Sequence, residues 1–595
     1  MPQFIARAYA PGPNAWPAGI ESAYVDWWLQ VDRTGQAAEA TAGLGFPRQA
    51  TTPMHGVKAG DPVTDGRFLP MWDVALNPKA NVVLNDALAA LVARPQAILV
   101  VIDTDINPLQ ERFRDSSGAP RILAHWLMEA PFLGKSKRVA FGRELRRDDF
   151  DSVKTMDEDS ALTELGCQNV VMANAPRGLA LTDAHGTHVL DLAVGTDPDR
   201  ADAASRALRD VPILAVSLPS DRILSPSGVF LEVCLDLALG WVQQRLGELF
   251  PGPEMDWPQV AVNLSYGLSA GSKEGSDKVP KRLAAFLGSH PKVKLFMPAG
   301  NDGKGKGRAS LTTSAVETGI GWQVAADNPF STYAEIWFQP GVMDDLTMTL
   351  VPPEGPGMVI YPNAALTAQE IVATGSDDPV ARAYAVGLGA GGRRGLVLCV
   401  GPTASRRSNW ISAPRGLWQV RIGPTASPVR VSVEAQSERS LRPSETGVRP
   451  SQLVSDHGVD PDPRGTLNAL AVGSGAVIVA GYRLSDKQPV DWASRGDLTQ
   501  NPGFAPNVAF PADRSVTRIG LIAAGYRSGS SITVQGTSFA TALATRHFLR
   551  HILKGGTAAD WMTLIAPPPG TPTDMIERGH PFEVPFNLNG GLIEG

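Results

Sequence analysis

The sequence predicts an α/β fold: a doubly wound parallel sheet interrupted by an inserted all-β domain of jelly-roll or sandwich type. Three observations carry that expectation. Ala97–Ile102 is an unbroken apolar run and Val260–Leu264 a nearly unbroken one, as strands covered on both faces are. A later stretch alternates instead. Leu346, Met348 and Leu350 are separated by Thr347 and Thr349, Trp418, Val420 and Ile422 by Gln419 and Arg421, and Val429, Val431 and Val433 by Arg430 and Ser432. Helical spacing links His185, Val189, Leu192 and Ala193 and runs again from Phe539 to Leu553, which supplies helices to cover the sheet.

Taken in order, residues 1–95 form an amino-terminal extension rich in Trp, Pro and Gly, helical near Asn85–Ala93. The first part of the parallel-sheet domain spans 96–310. Within it, 107–184 reads as a helical insertion whose charged run Arg143–Asp149 is a solvated face. Val229–Phe250 is a further helix. Residues 311–460 are the β-rich insertion. Their alternation implies one solvated face, and a module joined at two nearby points should be removable. The parallel pattern resumes over 461–560, and the tail 561–595, with Ala566-Pro567-Pro568-Pro569-Gly570, reads as loop as far as Phe586.

Composition narrows the function. The 595 residues include 54 basic and 60 acidic side chains, a net charge of −6, with no basic stripe, which argues against a nucleic-acid partner. Cys167, Cys234 and Cys399 are too few and too scattered for a disulfide framework or a zinc site. Cys234 and Cys399 lie in apolar patterns and read as buried small hydrophobes. The amino terminus lacks a basic start followed by an apolar core, and no apolar run reaches membrane-spanning length, so a cytoplasmic enzyme with no membrane partner is expected.

Three segments carry the chemistry: Val100–Ile106 (VVIDTDI), His185–Val189 (HGTHV) and Gly536–Ala540 (GTSFA). Asp103 falls at the carboxyl end of a buried strand, where open α/β sheets place their sites. His185 opens a helix, and Gly186 allows another backbone to come close. Ser538 falls at a helix amino terminus, where unpaired N–H groups favour developing negative charge. Singly, each has a bland reading: a turn Asp, a histidine pair three apart without a third ligand, a common Gly-Thr-Ser turn. In order, they supply an orienting carboxylate, a general base and an alcohol nucleophile.

At these residues the chain resembles the subtilisin-like serine peptidases, or subtilases. The resemblance implies a triad of Asp103, His185 and Ser538. It matches Asn301, in Phe296–Gly303, to the family's oxyanion-hole asparagine. It places Ser265, Tyr266, Gly267, Ala299 and Gly300 along the substrate backbone and first specificity pocket. Leu467–Gly473 and Asp491–Gly496 resemble the strand and loop that precede the serine segment, and Leu521–Gly525 the family's short strand. Residues 1–95 would then be a prosegment or a packing arm. Three departures stand out: Asp105 where Gly is usual, Leu190-Asp191 where Ala-Gly is usual, and Thr541-Ala542 in place of a Pro. Asp105 and Asp191 could raise the basicity of His185; a solvent-facing position is the expectation.

The expected activity is serine endopeptidase chemistry through an acyl-enzyme, with a peptide or protein as substrate and no required cofactor. A regulatory protein could be a further partner. Structural calcium occurs in the family, but Asp460–Gly465, with two Pro and no distal Glu, reads as a turn. Gly300–Gly307 lacks the Gly-Lys-Ser/Thr ending of a nucleotide loop. The alternative is a non-catalytic scaffold of the same fold that binds a protein partner through the β insertion.

Overall fold

The computed structural model describes residues 4–9 and 87–583 apart from 92, 129, 131–137, 140–141, 168–183, 198–206, 220–228, 270, 276, 329–331, 339–345, 361–367, 374–378, 388–393, 402, 405–411, 436–449 and 500–502. Its centre is an eight-stranded sheet. The strands are β1 (Ala97–Asp103), β2 (Ile122–Leu127), β3 (Arg143–Arg146), β4 (Ile213–Ser217), β5 (Gln259–Leu264), β6 (Val293–Pro298), β7 (Val477–Arg483) and β8 (Val508–Asp513). Across the sheet they run β8-β7-β6-β5-β1-β4-β2-β3. All neighbours pair parallel except the edge strand β3, which is antiparallel to β2.

β1 lies between β4 and β5, where the chain's progress across the sheet reverses. Asp103 ends β1 at that switch point, the usual place for an α/β site. Every residue of β1 is buried. Ile98, Val100 and Ile102 join one apolar cluster, with helices α2 (Val229–Leu249) and α3 (Lys278–Ser289). Ala97, Leu99 and Val101 join a second, with α1 (His185–Val194) and α4 (Thr537–Leu553). The continuous apolar run is therefore required: each alternate residue meets a different helical layer.

Two antiparallel sheets form the β-rich region. One has seven strands, in the order Phe4–Tyr9, Ala368–Ala373, Pro379–Gly387, Arg394–Val400, Thr332–Phe338, Arg430–Ala435 and Arg308–Thr312. The other has five: Met358–Ile360, Met348–Val351, Gly416–Ile422, Thr318–Val324 and Gln452–Val454. Their facing side chains share one core that includes Ile336, Phe338, Trp322, Trp418 and Val420. The amino-terminal strand pairs with Ala368–Ala373, at one edge of the larger sheet.

The expectation of a solvated outer face holds for strands Met348–Val351 and Gly416–Ile422 of the five-stranded sheet, where buried residues alternate with more open ones. In the seven-stranded sheet Thr332–Phe338 is buried throughout. Its second set of side chains, with Tyr333 and Trp337, joins the apolar cluster of the parallel-sheet body together with Val397 and Cys399.

Four local expectations need correction. Arg143–Arg146 is a strand, with Leu145 packed inward and Glu144 buried against Arg245 of α2 at 2.6 Å; only the short helix Arg147–Ser152 follows. A charged residue with a buried partner breaks the rule that a charge run faces water. Leu467–Gly473 is a series of turns, and the strand begins at Val477. Residues 87–91 are irregular, and the neighbouring 85, 86 and 92 lie outside the described residues. The tail contains helices Ala558–Ile565 and Thr573–Glu577, the first opened by a capping box between Thr557 and Asp560. The rest of the amino-terminal extension and residues 584–595 also lie outside the described residues. Cys234 and Cys399 are buried as expected, and all three cysteines are free thiols. Among the described residues no helix is long and apolar enough to cross a membrane, and no His/Cys/Asp/Glu group has metal-site geometry.

Candidate functional site

The site lies where β1, α1, α4 and the loops after β5 and β6 meet. Asp103, fully buried, leaves the end of β1 with Oδ1 accepting from the Thr104 N–H at 2.7 Å and from His185 Nδ1 at 2.6 Å. That contact fixes the ring and leaves Nε2 for chemistry. The His185 side chain is 35% exposed, on the first residue of α1. Gly186 explains the approach. Its N–H donates to the Thr104 carbonyl at 2.8 Å, and a Cβ there would lie 2.1 Å from that oxygen, so no other residue fits.

Burial pushes His185 down, but the Asp103 carboxylate, its hydrogen bond and the Asp105 charge together outweigh it, and its pKa stands above the ordinary imidazole value. Asp105 is a half-buried non-glycine residue at φ 50°. It therefore adds to the field at His185. For chemistry that needs neutral His185, activity is lost as pH falls through this raised pKa. Asp105→Asn keeps a residue that tolerates the left-handed conformation and removes one charge. The acid limb of kcat/KM should then move to lower pH, and an unchanged limb would remove Asp105 from the site's electrostatics.

Asp191 overturns the solvent-facing expectation. It is 3% exposed, with Oδ1 on Arg112 Nε at 2.5 Å and Oδ2 accepting from the Ala524 N–H at 2.7 Å. His188 Nδ1 meets the Ala524 carbonyl at 2.7 Å. Together they clasp the strand Leu521–Ala524 to α1, a role that an Ala-Gly pair could not fill.

Ser538, 8% exposed, is in the first turn of α4. Its N–H has no carbonyl four residues back within the helix and is available to a ligand. Its hydroxyl donates to the Ser265 carbonyl at 3.2 Å, and among the described residues this is its one side-chain hydrogen bond. The Ser265 hydroxyl lies 2.8 Å from Asn263 Oδ1 and 3.0 Å from the Ser538 carbonyl, sharing its proton between them. Where a Pro was expected, Thr541 donates its hydroxyl to the Thr537 carbonyl at 2.8 Å.

Asn301 follows Gly300, whose φ of 108° demands glycine. The Asn301 Oδ1 accepts from the Thr537 N–H at 3.0 Å and the Thr537 hydroxyl at 2.9 Å. Both acceptor positions are thus used; Asn301 is exposed, and its Nδ2 lies beside Gly536 with no acceptor among the described residues. Ala299 is fully buried, donating to the Val479 carbonyl and accepting from the Asn468 N–H, so it supports the site from beneath. Tyr266 is half-buried and Gly267 exposed.

Sequence reasoning missed Asn468. Its Oδ1 accepts from the Leu268 and Leu470 N–H groups, each at 3.1 Å, and its Nδ2 donates to the Tyr266 carbonyl at 3.0 Å and the Pro298 carbonyl at 3.1 Å. One buried amide thus ties the loop after β5 to the end of β6. No spacing rule flags such a residue, because its partners are distant in sequence. Thr537 was visible only as the middle of Gly536-Thr537-Ser538.

The arrangement brings a carboxylate–imidazole pair, a hydroxyl at a helix amino terminus and an amide oriented by Thr537 to the carboxyl ends of β1, β5 and β6. That set can deprotonate an alcohol, add it to a carbonyl and hold the resulting oxyanion. The fold has a solved counterpart. The structure of the Clostridium perfringens CspB protease aligns at a TM-score of 0.57 and 15% sequence identity, covering 82% of this chain and 90% of that one. At that identity the likeness is one of fold, a mixed α/β architecture built on a parallel sheet. No protein-family model and no curated protein matches the chain in sequence.

Proposed function

We propose that this protein is a serine endopeptidase of the subtilisin-like class. The observation that supports the reading is the hydrogen-bonded Asp103–His185 pair beside the start of α4: the imidazole lies 5.3 Å, ring centre to ring centre, from Phe539, the residue after Ser538, while Thr537, the residue before it, orients the amide of Asn301. In this reading Ser538 Oγ attacks the scissile carbonyl and His185 Nε2 takes its proton. Asp103 holds the ring and stabilises the imidazolium. The oxyanion is bound by Asn301 Nδ2 and the Ser538 N–H. His185 then protonates the leaving amine. Water, deprotonated by His185, hydrolyses the acyl-enzyme and releases Ser538. An extended peptide would lie along the Ser265–Gly267 segment, in the manner of strand addition.

One observation favours the scaffold reading: the Ser538 hydroxyl is bonded to a carbonyl and not to His185. In the peptidase reading the hydroxyl turns to His185 when substrate binds, since catalytic hydrogen bonds commonly tighten only then. A fluorophosphonate probe decides between the two. Stoichiometric labelling of the purified protein, mapped to Ser538 and absent in His185→Ala, is the expected result. No labelling of a folded protein would reject the peptidase reading.

A further inference from the structure

The buried face of the seven-stranded sheet carries a pair of carboxylates that the chemistry above does not use. Glu335 and Glu434 are directly opposite one another on the antiparallel strands Thr332–Phe338 and Arg430–Ala435. They therefore emerge on one face, the face that packs on the parallel-sheet body through Tyr333 and Trp337. Glu335 is fully buried and Glu434 is 4% exposed. Like charges directly opposite on a sheet repel, and buried carboxylates are costly without partners, so their placement calls for specific contacts.

Both carboxylates reach the same loop. Glu335 Oε2 accepts from the Gly271 N–H at 2.7 Å and from Trp337 Nε1 at 2.7 Å. Glu434 Oε2 accepts from Lys273 Nζ at 2.6 Å, and its Oε1 accepts from Arg308 Nε at 2.8 Å. Between those anchor points, Asp277 accepts from the Ser272 N–H and hydroxyl. This loop is the continuation of Ser265–Gly267. Its near end is held by Asn468, and Ser269 donates to Asp302, beside Asn301, at 2.7 Å.

We propose that the β insertion acts as a splint for the substrate cleft. Glu335 and Glu434 are positioning residues that hold Gly271 and Lys273, and through them the Tyr266–Leu268 wall along which a peptide would lie. The inference rests on the peptidase reading for its consequence, and on geometry alone for the loop's attachment. It also accounts for the two buried faces of this sheet: one makes the sandwich core, and the other grips the enzyme body.

Burial, with the nearby Asp277 and Glu434 charges, pushes the Glu335 carboxyl up to about 8, against the pull of its two hydrogen bonds. Its acceptor role does not need the charge. Glu335→Gln should therefore preserve the grip, whereas Glu335→Leu fills similar volume and leaves both the Gly271 N–H and Trp337 Nε1 without their acceptor. Leucine packs with the rings of Tyr333 and Trp337, and the loss of the Trp337 Nε1 bond lowers stability without removing that packing, so the fold should survive.

The test compares the full-length wild type, Glu335→Leu and Glu335→Gln by amide hydrogen exchange, extended-peptide hydrolysis and fluorophosphonate labelling. Expected for Glu335→Leu are faster exchange confined to 266–273, a kcat/KM on an extended peptide lower by about ten- to a hundredfold and carried mainly in KM, and a labelling rate within about twofold of wild type. Glu335→Gln should restore exchange and KM. Wild-type exchange at 266–273 in Glu335→Leu would overturn the splint. So would unchanged peptide kinetics, an equal fall in labelling and hydrolysis, or a Gln variant as impaired as Leu. A wild type that takes no label rejects the peptidase reading instead, and the exchange comparison still decides the attachment.

Discussion

Ser538→Ala should lower kcat for peptide hydrolysis by about four to six orders of magnitude while leaving KM and the fold nearly unchanged. The expectation follows from what the hydroxyl does in the resting structure. Among the described residues it makes one side-chain hydrogen bond, to the Ser265 carbonyl at 3.2 Å. Losing a bond of that length costs stability on the order of 1 kcal/mol or less. In the peptidase reading, losing the hydroxyl removes the covalent route entirely. His185→Ala should abolish activity to a similar degree, and the double variant should be little worse than either single one, since the groups act as a unit. The two single variants should differ in stability. Removing His185 leaves the fully buried Asp103 with only the Thr104 N–H on Oδ1 and no partner on Oδ2. An under-compensated buried carboxylate costs roughly 3 kcal/mol or more, so His185→Ala should melt measurably below Ser538→Ala. Thermal unfolding beside a steady-state assay checks both halves. Hydrolysis retained by pure Ser538→Ala would sink the assignment.

The second large effect is expected at Asn301. Its amide is not free to rotate: Oδ1 is held by the Thr537 N–H and hydroxyl, so Nδ2 is the end presented to a ligand. A donor fixed in advance acts on the oxyanion more than on the ground-state carbonyl. Asn301→Ala should therefore reduce kcat by about a hundred- to a thousandfold, with little change in KM. The alanine also strips the Thr537 N–H of its acceptor at the start of α4, which resembles the loss of a helix cap and should cost about 1 kcal/mol. Asn301→Asp separates the two effects. It keeps an acceptor for Thr537 but sets a negative charge against the oxyanion, so stability should return and kcat should not. Steady-state kinetics of the two variants would test this. A kcat within a few-fold of wild type in Asn301→Ala would assign the oxyanion to another donor.

What the sequence by itself determined were features whose cause is local and whose pattern is long, though the short capped helix Ala558–Ile565 reads as loop. An unbroken apolar run is a strand with helices on both sides, so Ala97–Asp103 and its terminal carboxylate were legible. Helical spacing placed His185 and Ser538 at first turns, and Gly186 was readable because only a residue without a Cβ permits the approach to Thr104. The alternation of Met348–Val351 and Gly416–Ile422 marked sheet strands. Tertiary structure decided whatever depends on a distant partner. Glu144 lies inside because Arg245 of α2 meets it. Asp191 is buried because the Ala524 N–H and Arg112 take up its oxygens. The β-rich insertion reads as strands with one wet face, yet both faces of Thr332–Phe338 are covered, because Glu335 and Trp337 find Gly271 and the core of the parallel-sheet body. Asn468 carries no motif, but three hydrogen bonds to distant segments make it a clamp between the loop after β5 and the end of β6. The physical reason is the same in each case. Periodicity reports whether a face is buried by its own pattern, whereas a polar side chain goes inside only when another segment supplies the complementary donor or acceptor, and that pairing exists only once the chain has folded.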